Sequence, residues 1–73
     1  MVSEIQSVVF LKNYGWNKKL AGSWLLKHHL VPLKPPDEKF KSQLRYRITN
    51  PFNYFRFVTK KTLGGINFII GIK

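Results

Sequence analysis

The chain has 73 residues, with thirteen Lys/Arg against three Asp/Glu and a net charge of +10. That length builds one core only, so a multidomain enzyme is excluded, and the absence of cysteine excludes disulfide scaffolds, thiol catalysis and cysteine-based zinc sites. A hydrophobic content of 44% with 15% aromatics supplies enough apolar mass to pack, which excludes a disordered basic tail.

The first predicted element is a strand from Glu4 to Lys12, rich in β-branched and aromatic residues. Val8, Val9, Phe10 and Leu11 run together, so this strand is expected to be covered on both faces or to meet a partner. Asn13-Tyr14-Gly15 reads as a turn. A helix follows from about Asn17 or Lys18 to His29 or Leu30. Its 100° spacing gathers Leu20, Ala21, Trp24, Leu25 and His28 on one face, with Lys18, Lys19, Gly22 and His29 opposite. Asn17 is the expected N-cap, and Trp16 is placed to staple against Leu20. Leu26 falls outside the stripe.

Residues 31–41 carry Pro32, Pro35 and Pro36 and read as a semi-rigid surface loop. The next predicted strand, Ser42 to Thr49, alternates cleanly. Leu44, Tyr46 and Ile48 point to the core, and Gln43, Arg45, Arg47 and Thr49 point away. Asn50-Pro51 is a helix-start signature, and a short helix through about Phe57 is expected to turn Phe52 and Phe55 inward, with Tyr54 and Tyr14 exposed. Lys60-Lys61 and the Gly64-Gly65 turn lead to a last strand, Ile66 to Ile72. The expected fold is α+β in β-α-β-α-β order, a single domain over residues 1–73. A three-stranded, mostly antiparallel sheet would carry the long helix on one face and a short second helix. The first and last strands are the most apolar, so one of them is expected to be central.

Catalysis is not expected. Glu4 stands near a terminus and Asp37-Glu38 in the proline loop, so no carboxylate pair converges. His28 and His29 are adjacent, which turns them about 100° apart on a helix and prevents joint metal ligation. His28 is read as a half-buried helix residue. Gly64-Gly65 lacks the spacing of a phosphate-binding loop. No metal or other cofactor is expected.

The basic surface is the stronger signal. Arg45 and Arg47 leave one strand on the same side, about 7 Å apart, close to the separation of successive phosphates on a nucleic-acid strand. Arg56, Lys60 and Lys61 extend the set, and Lys18 and Lys19 add a second positive surface on the helix. The competing reading treats these charges as solvated gatekeepers against aggregation. Phosphate contact is expected to dominate over base readout, giving weak sequence specificity and a steep salt dependence. The partner is nucleic acid, DNA ahead of RNA, or else an acidic protein. Self-association through an apolar strand edge is the alternative for a structural or virion component. No apolar run reaches the roughly 18 residues of a membrane span. Met1-Val2-Ser3-Glu4 lacks the layout of a signal peptide, so an intracellular, not secreted, protein is expected.

Several segments together resemble a small basic domain encoded by tailed phages and large double-stranded DNA viruses. They are Ser7-Val8-Val9-Phe10, Trp16 with Ala21 and Trp24-Leu25, Leu44-Arg45-Tyr46-Arg47-Ile48, Asn50-Pro51 with Phe55-Arg56-Phe57, and Gly65 with Ile70-Gly71. In phages such frames stand near head-morphogenesis or prohead-protease proteins. The resemblance implies a viral protein that works beside packaged DNA or within a virion. It carries no catalytic signature, and the proline loop has no counterpart in it.

Overall fold

A computed structural model describes residues 3–38 and 41–73. Four strands form one antiparallel sheet: β1 (Ser3–Leu11), β2 (Gln43–Arg47), β3 (Arg56–Lys61) and β4 (Ile66–Ile72), in the spatial order β2-β1-β4-β3. One helix, α1 (Lys18–Lys27), lies on one face, and short 3-10 turns occupy Lys12–Tyr14 and Pro51–Asn53. The expectation of a three-stranded sheet with a second helix is therefore corrected. The Asn50-Pro51 signal does start a turn, with Asn50 Oδ1 accepting from Phe52 N at 3.0 Å, but that turn stops at Asn53. The chain then extends as β3, where Val58-Thr59 favour a strand and six register pairs to β4 supply the ladder. Without a helix to carry them, Phe52 and Phe55 stay exposed, and Tyr54 is the residue that turns inward.

Both apolar strands, β1 and β4, are central, where one is expected from composition. Directly opposed residues share a face of an antiparallel sheet. Leu44, Phe10 and Ile66 line up in one row, and Tyr46, Val8 and Phe68 in the next. Against these rows α1 sets Ala21 and Leu25, with Trp16 and Trp24 packed at the side. Phe10 is the hub: its ring centroid lies 4.9 Å from Trp16, 5.7 Å from Trp24 and 5.6 Å from Tyr46. Ser7 and Val9, on the other side of β1, are buried too, so the central strand is covered on both faces.

Asn17 caps the helix, accepting from Leu20 N at 2.9 Å. The helix ends at Lys27, earlier than its periodicity suggests. His29 adopts a left-handed φ of 57°, Leu30 N donates to Leu25 O and His29 N to Leu26 O, which is a Schellman stop. Leu20 is half-exposed. His28 is exposed, not half-buried: its ring stacks on Trp24 at 3.9 Å, and Nδ1 donates to Trp24 O.

The proline loop is part of the sheet's architecture. Leu33 N donates to Arg47 O, and Asp37 and Arg45 exchange backbone hydrogen bonds at 2.8 and 3.1 Å. The segment thus closes the outer edge of β2, while its residues 39 and 40 lie outside the described residues. Three prolines limit the entropy lost when the segment is laid along an edge.

Candidate nucleic-acid interface

The β2 alternation that sends Leu44 and Tyr46 to the helix sends Arg45 and Arg47 to the opposite face. Register then connects them across the sheet. Arg45, Val9, Asn67 and Lys61 form one row through all four strands, and Arg47, Ser7, Ile69 and Thr59 form the next. Lys61 thus shares the face of the two arginines, three strand spacings or about 14 Å away. Arg56 and Lys60 do not. Lys60 pairs with Phe68 and Arg56 with Ile72, which turns both to the helix side of the sheet. All six β3 residues are exposed.

Arg45 and Arg47 are half-buried. The Arg45 Nε is buried and has no hydrogen-bond partner among the described residues, so this guanidinium has its terminal Nη pair to offer a phosphate. At the start of α1, Lys18 and Lys19 are exposed beside a cleft of about 430 Å³ that also touches Trp16 and Leu44. Lys18 is not a free cation there: it meets Glu38 Oε2 at 3.0 Å, while Lys12 meets Oε1 of the same carboxylate at 3.3 Å. The predicted basic residues therefore fall into three groups, the Arg45/Arg47/Lys61 face, the Arg56/Lys60 side of the β3 edge, and the α1 start.

Sequence reasoning missed two charged clusters. One is the Glu38 bridge that pins the proline loop to the α1 entry. The other joins Lys73, Glu4, Tyr54 and Thr49. Lys73 Nζ lies 2.9 Å from Glu4 Oε1, Tyr54 OH donates to the same oxygen at 3.2 Å, and Thr49 Oγ1 is 2.6 Å from that hydroxyl. Each carboxylate is distant in chain order from the groups it meets, so no local pattern announces the clusters. Among the described residues, no three His, Asp or Glu side chains gather as a metal site, and no helix is long and apolar enough to cross a membrane.

These pairs set an acid limit on stability. The hydrogen bond and charge of Lys73 hold the Glu4 carboxyl below its ordinary value, and the hydrogen bonds from Lys18 and then Lys12 do the same for Glu38. A carboxyl whose folded pKa is lowered stabilises the fold above the unfolded value, near pH 4.3, and loses that contribution as pH falls through the folded value. The melting temperature is expected to drop as pH falls below about 4, and Glu4→Gln with Glu38→Gln to flatten that drop. Thermal melts followed by circular dichroism from about pH 7 to 3 check it; an equal acid drop in parent and double variant would refute the role of these pairs.

No family model, no curated protein and no solved structure matches this chain.

Proposed function

We propose that this chain is a non-enzymatic nucleic-acid-binding protein of the viral kind its residue pattern resembles, gripping phosphates with Arg45, Arg47 and Lys61. The observation that carries the reading is the register that sets these three cations on the sheet face away from α1. Arg56 and Lys60 add charge at the β3 edge, Lys19 adds charge at the α1 start, and Lys18 contributes less because Glu38 already holds it. The excess of ten positive charges attracts a polyanion over roughly a Debye length, about 8 Å at physiological salt. Contacts made to phosphates carry no sequence information, so binding is weakly specific. Duplex DNA is the first ligand to test, following the resemblance, with RNA and single strands beside it.

The test is a salt series of fluorescence-anisotropy titrations with 20-mer single- and double-stranded DNA and RNA. Affinity is expected to fall steeply with salt, and Arg45→Gln with Arg47→Gln to reduce the log–log slope by about 2. Arg45→Glu with Arg47→Glu is expected to abolish binding, with an unchanged circular dichroism spectrum. A folded double variant that binds all four ligands as well as the parent would overturn the proposal.

A further inference from the structure

The two edges of this sheet are treated differently. The β2 edge is closed by the chain itself, through the Leu33 and Asp37 backbone hydrogen bonds. At the other end, β4 is the only strand neighbour of β3 among the described residues, and the six residues of β3 are all exposed. A strand of that length runs about 20 Å, and alternate residues aim their N–H and C=O groups outward. Along it stand Arg56, Lys60 and Lys61, with Phe57 and Val58 still 46% and 47% exposed. Cations alone suffice to blunt an edge against aggregation; exposed Phe57 and Val58 have no such use.

We infer that the open edge of β3 takes an extended acidic segment of a partner protein as a fifth strand. Backbone pairing would supply the ladder, and side chains would supply the choice of partner. Charge selects the occupant. In a second copy, the antiparallel register that pairs all six residues sets Arg56 opposite Lys61 at both ends, between two chains each carrying +10. Like charges directly opposed destabilise a strand pair. An acidic strand reverses that sign at Arg56, Lys60 and Lys61 while offering apolar side chains to Phe57 and Val58. A polynucleotide would satisfy the charges but has no amide ladder to complete the edge. This inference shares Lys61 with the proposed phosphate-binding face, whose Arg45 and Arg47 stand on β2 at the opposite end of the sheet.

The probe is the capped hexapeptide EETVVE, complementary to residues 61 back to 56 in antiparallel register. Two further versions are N-methylated at alternate positions, one in each phase, with charge unchanged. Titration into the ¹⁵N-labelled protein is expected to shift the amides of 56–61. One methylated phase is expected to bind within about twofold of the parent peptide and the other at least tenfold more weakly, since only one phase turns its N–H groups to the edge. Arg56→Glu with Lys60→Glu, which leaves Lys61 in place, is expected to lose tenfold or more, and Arg45→Gln to change nothing. Equal binding of both methylated phases, shifts centred on residues 45 and 47, or a dimer that protects the β3 amides without peptide would each overturn the inference. Oligonucleotide titrations on the same variants are scored separately, so either result leaves the other readable.

Discussion

Phe10→Ala is expected to lower stability by about 3–5 kcal/mol, the range for removing a large buried aromatic. A chain of this length has only about 4–11 kcal/mol in total, so the change removes a large share of its stability. The cost is high because Phe10 has no solvent exposure and meets three other aromatic rings at once. Trp16 enters from the loop before α1, Trp24 from α1 itself and Tyr46 from β2. Its cross-strand partners Leu44 and Ile66 complete the ring of contacts. No single neighbour can swing in to fill the space without releasing another element. Urea unfolding followed by tryptophan fluorescence measures the loss. Phe52→Ala is the matched control: Phe52 is 92% exposed, and the change should stay within about 0.5 kcal/mol. Similar losses for the two variants would mean the core is centred elsewhere.

That contrast shows what the sequence makes legible. α1 and β4 are readable because each carries an apolar pattern with one period that burial enforces, and β1 because its unbroken apolar run fits a strand covered on both faces. The clean alternation of β2 likewise places Arg45 and Arg47 on the face away from Leu44 and Tyr46. β3 is not readable in this way. An edge strand exposed on both faces has no buried side, so Arg56 to Lys61 shows no hydrophobic alternation. The Asn50-Pro51 signal, a true turn start, then draws the following phenylalanines into a helix that does not form. The consequence reaches the candidate site. Lys60 and Lys61 look equivalent in sequence, and only the β3–β4 register sends Lys61 to the arginine face and Lys60 to the other. The Lys18–Glu38 pair is equally invisible in sequence, because the path of the proline loop is set by its backbone bonds to β2, which no local pattern specifies.

Gly65→Ala is expected to cost about 2–5 kcal/mol, from two additive causes. The backbone there has a φ of 79°, and the left-handed region costs an alanine roughly 1–2 kcal/mol. A Cβ at this position would also lie 2.5 Å from both Cβ and Cγ of Tyr14, which typically adds about 1–3 kcal/mol of overpacking. The Tyr14 ring is largely exposed and free to turn, but its Cβ is fixed to the backbone, so the turn itself must move. Two hydrogen bonds hold that turn in place, Leu11 N to Gly65 O at 2.8 Å and Trp16 Nε1 to Gly64 O at 2.9 Å. Displacing Gly65 therefore loosens the β3–β4 hairpin from the end of β1 and from Trp16, one of the rings around Phe10. For the same reason Tyr14→Ala should not rescue Gly65→Ala, since it leaves the clashing Cβ where it is. Gly64 separates the two causes from a general intolerance of the turn. A Cβ there meets open space and its φ is not positive, so Gly64→Ala should change stability by less than about 0.5 kcal/mol. Equal chemical-denaturation midpoints for Gly64→Ala and Gly65→Ala would show that the contact with Tyr14 does not shape this hairpin.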